Sequence, residues 1–88
     1  MSLGYKVEFS NVAKKELRAF HSSHRAQVVK IIERLKVNPY DMPNVKPIQG
    51  VNNQFRIRFG NYRMIYEIID QRLIITVLRI GPRGDVYK

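Results

Sequence analysis

The chain has 88 residues, 44% of them hydrophobic, which is enough for one core and too little for two. It contains no cysteine, which excludes disulfide staples and thiolate chemistry, and no apolar run approaches the roughly 18 residues of a membrane-spanning helix. Lys and Arg number 16 against 7 Asp and Glu, a net charge of +9 that points to an anionic partner such as a nucleic acid or an acidic protein.

The start Met1-Ser2-Leu3-Gly4 has no basic segment leading into an apolar one, so a cytoplasmic location with no membrane partner is expected. Residues 3–9 alternate, with Tyr5, Val7 and Phe9 on one side and Lys6 and Glu8 on the other, and predict a first strand. Ser10 or Asn11 can cap a helix over residues 11–20, where Ala13, Leu17 and Phe20 recur as one buried stripe. Lys14, Lys15 and Arg18 are left facing water. The run His21-Ser22-Ser23-His24 interrupts the pattern. A second helix over residues 25–37 follows from Val28, Ile31, Ile32 and Leu35. Asn38-Pro39 ends it, because proline disfavours helical backbone in the residue before it. Two helices joined by a short link form an αα-hairpin.

Residues 38–53 hold Pro39, Pro43, Pro47 and Gly50 and are expected to be an extended connection with no helix. Strands at 54–59, 62–69 and 72–80 follow, with turns at Gly60-Asn61 and Asp70-Gln71. Leu73 to Leu78 is apolar on both faces, which suits the inside of a sheet. The first strand can pair with either neighbour. The expected fold class is α+β: one domain over residues 1–88, with an N-terminal strand, the helical hairpin and a three-stranded antiparallel meander. The helices pack on one sheet face through Phe55, Ile57, Phe59, Met64 and Tyr66.

A turn at Gly60-Asn61 places Phe59 across from Tyr62 and Arg58 across from Arg63, with Arg56 and Ile65 on the same face as the arginines. Like charges facing each other cost roughly a few tenths of a kcal/mol. That basic face therefore points to a bound polyanion rather than to strand stability.

There is no Gly-rich phosphate loop, no metal-ligand spacing and no cysteine nucleophile. His21 and His24 read as solvated linker residues, and Glu67 and Asp70 as surface carboxylates. A set of Arg and Tyr suits a different chemistry. Cleavage of RNA by its own 2′-hydroxyl needs the phosphate held, the 2′-oxygen aligned, a proton taken and a proton returned. Guanidinium groups bind the extra negative charge of a pentacoordinate phosphate bidentately. With a pKa above about 12, arginine is a poor base, and tyrosine near about 10 is mismatched to neutral pH. Such a site acts through charge stabilisation and positioning, and gains from a partner that orients the substrate.

The motif Phe-Arg-Ile-Arg-Phe-Gly-Asn-Tyr-Arg-Met-Ile-Tyr at 55–66, preceded by Lys-Pro-Ile-Gln-Gly at 46–50 and closed by Pro-Arg-Gly-Asp-Val-Tyr at 82–87, resembles the RelE toxins of the RelE/ParE superfamily, the short archaeal RelE proteins especially. The resemblance runs over nearly the whole chain. It implies a small sheet backed by helices and a type II toxin that cuts messenger RNA in the ribosomal A site by 2′-hydroxyl attack. No cofactor or metal is implied, and the implied partner is an acidic, RelB-like antitoxin that folds on the basic surface. Carried over by position, the two basic strand residues are Arg56 and Arg58, the turn arginine is Arg63, the loop arginine is Arg83 and the terminal tyrosine is Tyr87. In the family the strand pair is often lysine, one of them proposed as general base, with the loop arginine as acid and the tyrosine stacking. Here both strand positions are arginine, so the role that carries over is charge stabilisation, while proton abstraction by Arg58 is disfavoured. The glutamate and histidine pair of YoeB-like relatives is absent. Two other readings stand beside this one: a ParE-like inhibitor of DNA gyrase without nuclease activity, and a non-catalytic RNA-binding module.

Overall fold

Ser10 shows how the first strand hands over to the first helix in the computed structural model, which describes residues 4–20, 22–40 and 44–82. Its side-chain oxygen accepts from the backbone N–H of Ala13 at 3.0 Å, the bond of a helix N-cap. Its hydroxyl donates to the carbonyl of Leu78 at 2.9 Å, and its backbone N–H to Val77 at 2.9 Å. One residue thus ends β1 (Lys6–Phe9), starts α1 (Asn11–Arg18) and pins both to the last strand.

The second helix, α2, runs over Ser22–Val37, beginning three residues before the expected start at Arg25. Ser22 and Ser23 lie inside it and do not cap it from outside. The αα-hairpin is followed by a strand that was not expected: β2, Val45–Pro47, within the stretch read as a plain connection. Strands β3 (Gln54–Phe59) and β4 (Tyr62–Ile69) have the expected bounds, and β5 spans Ile74–Pro82. The second turn is a 3₁₀ turn, Asp70–Arg72, closed by Leu73 in the left-handed region at φ 54°, and this delays β5 by two residues.

The five strands form one sheet in the order β1-β5-β4-β3-β2, with β1 parallel to β5 and the other pairs antiparallel. Strand β5 is interior, as its two-sided apolar run requires. The choice of β5 as partner of β1 settles what local pattern left open. Strand β2 is a three-residue edge strand ending in Pro47, which has no N–H to offer a further strand.

Alternation along the strands separates two faces. Ile57, Met64, Tyr66, Ile68, Ile75, Val77 and Ile80 join Ala13 of α1 and Val28, Ile32 and Leu35 of α2 in the core, with Phe55 and Phe59 at its margin. The register of β5 shifts between Ile65 and Tyr66, which pair with Arg79 and Val77, leaving Leu78 as the extra residue of a β-bulge. The bulge lets both Val77 and Ile80 reach the core although they are three apart.

Candidate functional site

The β3–β4 hairpin turns at Gly60 and Asn61. Gly60 has φ 56° and Asn61 is not among the positive-φ residues, as in a type II′ turn with glycine in its first central position. The register is Phe59↔Tyr62, Arg58↔Arg63, Ile57↔Met64 and Arg56↔Ile65, as the turn predicts. The backbone N–H of Arg58 points away from β4 and donates to the carbonyl of Asn44 at 3.4 Å. Arg58 and Arg63 are therefore a non-hydrogen-bonded pair, the kind whose Cα atoms approach to about 4.5 Å and whose side chains are closest.

Two rows cross the face opposite the helices. One holds Arg58, Arg63 and Gly81; the other holds Lys46, Arg56, Ile65 and Arg79. Ile65 is 8% exposed yet lies outside the contiguous core cluster, so it forms an apolar floor between flanking cations. Local pattern does not single out Lys46, because the three-residue strand that carries it has little periodicity; the alternation of Val45 and Lys46 is the available signal. Lys46 and Arg56 also line an open concavity of about 550 Å³ with Pro47, Ile48 and Gln49. The next row, Gln54, Glu67, Thr76 and Glu8, carries the acids, so positive charge collects at the hairpin-tip end of this face.

The glycine opposite Arg63 is set by α1. Strand β1 pairs with β5 only as far as Val77, leaving the later part of β5 with an open edge. Glu16 fills that edge: its Oε1 accepts from the backbone N–H of Ile80 at 2.8 Å, and its Oε2 from Arg79 Nη2 at 3.0 Å. The carboxylate holds the Arg79 guanidinium above its already high pKa. Arg79 is thereby neutralised by Glu16.

Asp70 is more than a surface carboxylate. It accepts from Tyr5 Oη at 2.8 Å and Tyr40 Oη at 2.5 Å, tying the residue before β1 and the segment after α2 to the β4–β5 turn. These bonds hold its carboxyl below the usual aspartate range and push Tyr40 up to about 12, chiefly through the same hydrogen bond. Tyr66 is also raised to about 12, by burial. His24 likewise departs from the linker reading, because its ring lies 4.6 Å from that of Tyr62.

Of the expected site residues, Arg56, Arg58 and Arg63 are brought together. Arg83 and Tyr87 lie outside the described residues, as does His21. Among the described residues, no group of three His, Cys, Asp or Glu is placed to hold a metal ion.

Comparison with known proteins finds a matching family model over residues 7–87, described as the ParE toxin of the type II toxin-antitoxin system parDE. A RelE-like toxin protein of Escherichia coli is 32% identical over 87 residues, covering 94% of this chain and 90% of its own length. The mRNA interferase toxin RelE of Escherichia coli K12 is 28% identical, with 97% and 92% covered. Among solved structures, a chain of the archaeal RelE-RelB complex from Pyrococcus horikoshii superposes with a TM-score of 0.83 at 24% identity, covering 94% of this chain and 99% of that one. A chain of the intact Escherichia coli RelBE toxin-antitoxin complex does so with a TM-score of 0.80 at 26% identity, with 91% and 98% covered.

Proposed function

This chain belongs to the ParE/RelE family of type II toxin-antitoxin toxins, as a RelE-like member, and from that premise we propose that it is a ribosome-dependent messenger RNA endonuclease. The observation that carries the reading is the convergence of Arg56, Arg58, Arg63 and Lys46 on adjacent positions of one sheet face. The scissile phosphate lies over the Arg58–Arg63 pair. The substrate's 2′-oxygen attacks the adjacent phosphorus, the bond to the 5′-oxygen breaks, and a 2′,3′-cyclic phosphate and a 5′-hydroxyl result. Guanidinium bonds strengthen as charge builds on the equatorial oxygens, which is where these residues lower the barrier. Arg83 supplies a further cation and a proton donor to the leaving oxygen, and Tyr87 stacks on a neighbouring base. Because arginine is a poor proton acceptor, the 2′-proton passes to solvent or to a group of the ribosome, and this is why free RNA is a poor substrate.

The basic face also supports a partner. RelE of the Escherichia coli complex is bound to RelB, and the cognate antitoxin of this chain is an acidic RelB-like protein. It neutralises the same face through charge complementarity.

The test is cleavage of message on purified programmed ribosomes by the wild type and by Arg58→Ala, Arg63→Ala, Arg83→Ala and Tyr87→Ala. Each variant is expected to lose at least about 10²-fold in rate, the scale of removing one transition-state donor. Undiminished cutting by the Arg58 and Arg63 variants would overturn the site.

A further inference from the structure

Four aromatic rings meet at the tip of the β3–β4 hairpin, on the side away from the arginine rows. Tyr62 lies 4.7 Å from Phe20, 4.6 Å from His24 and 5.9 Å from Phe59 between ring centroids, the last nearly parallel at 27°. Phe20 and Phe59 belong to the margin of the core, whereas Tyr62 is not among the side chains packed against it. Tyr62 and His24 thus form an outer layer over two core phenylalanines, and both are partly exposed. A tyrosine and a histidine held edge-on and tilted by packing from below present ring surface at little entropic cost.

The charge around this layer selects its occupant. Tyr62 is the chain neighbour of Arg63, and Phe59 of Arg58, so the aromatic layer and the Arg58–Arg63 row lie back to back across the last pair of the hairpin. Arg25, next to His24, is exposed, and so is Arg18 near the end of α1. Rings interleaved with guanidinium groups are the recurring means of holding single-stranded nucleic acid, with bases on the rings and phosphates on the cations.

We propose that Tyr62 and His24, backed by Phe20 and Phe59, form a stacking platform for an unpaired base of the RNA strand whose phosphate lies on the Arg58–Arg63 row. The platform rests on the RNA-cleavage reading and adds to it a second contact, distinct from the base contact assigned to Tyr87. An RNA strand passing around the hairpin tip places one phosphate on the arginine face and turns a neighbouring base onto the rings.

The test uses two probes at low salt: a short oligoadenylate with 2′-O-methyl sugars, which internal attack cannot cleave, and the same backbone with abasic sugars. The wild type is expected to bind the base-bearing strand about fivefold to a hundredfold more tightly. Tyr62→Leu keeps apolar volume over Phe20 and Phe59, and His24→Ala trims a partly exposed ring. Each is expected to lose most of that preference without weakening the abasic complex, while His24→Phe retains it. Arg58→Ala is expected to weaken both probes alike and to reduce the salt slope by about one.

Full preference in Tyr62→Leu and His24→Ala, with thermal midpoints near that of the wild type, overturns the platform and leaves the arginine rows standing. Equal affinity of the wild type for the two probes also overturns it. Failure of the wild type to hold either strand removes the platform together with the RNA reading beneath it.

Discussion

Replacing Glu16 tests how α1 fixes the strand that runs beside Arg63. An acid in the last turn of a helix sits at the wrong end of the helix dipole, so Glu16 is held there by what it does for β5. In Glu16→Ala the backbone N–H of Ile80, a residue with 0% exposure, loses its 2.8 Å acceptor. Leaving a buried donor unsatisfied costs roughly 1–3 kcal/mol. The Arg79 ion pair adds less, because the side chains are 39% and 23% exposed; a screened pair contributes about 0–1 kcal/mol. The sum is about 1–4 kcal/mol, or a drop of roughly 5–30 °C in Tm for a domain of this size. Glu16→Gln keeps an oxygen acceptor for Ile80 and loses only the charge, so it is expected to cost about 0.5–1 kcal/mol. Urea unfolding followed by circular dichroism, with amide exchange at Ile80, measures both variants. Equal destabilisation by the two, or unchanged exchange at Ile80 in Glu16→Ala, would refute the claim that the bond to the strand edge is the larger part.

Three further outcomes are expected. Tyr66 and Tyr40 are raised to about 12 in the fold against about 10 in an unfolded chain. The stability they confer is therefore complete below about pH 10 and is lost as pH rises towards 12. Tyr66→Phe is expected to flatten this alkaline limb at little cost near neutrality, because its bond to the Pro39 carbonyl is long at 3.5 Å. Arg58→Thr removes a like-charge pair and adds a good strand residue, so it is expected to stabilise the fold by about 0.3–1 kcal/mol at low salt while impairing cleavage. A urea midpoint at or below that of the wild type counts against the argument that the arginines are kept for an anion. Finally, pure protein is expected to leave gyrase supercoiling unchanged; trapped cleaved DNA would favour the ParE-like reading instead.

The hairpin was legible because two signals agreed there. A Gly-Asn turn with strand alternation on both sides fixes register, and register places Arg56, Arg58 and Arg63 together. Strand β2, and Lys46 with it, is not legible because three residues ending in a proline carry little periodic signal. The early start of α2 was obscured by the His-Ser-Ser-His run, whose polar residues suit an exposed helical turn as well as a break. The pairing of β1 with β5, the Glu16 contact to Ile80, the hold of two tyrosines on Asp70 and the ring contacts of His24 all join residues far apart in the chain. Local pattern carries no trace of them until the sheet order is known.

In the proposed reaction the message supplies its own nucleophile, and the basic face positions it and stabilises the developing charge. A message bearing a single 2′-deoxy sugar at the cleavage position, bound in the A site of purified ribosomes, tests this directly. The deoxy message is expected to stay intact while the all-ribose message yields an upstream fragment ending in a 2′,3′-cyclic phosphate. Cleavage of the deoxy message at an undiminished rate would contradict it.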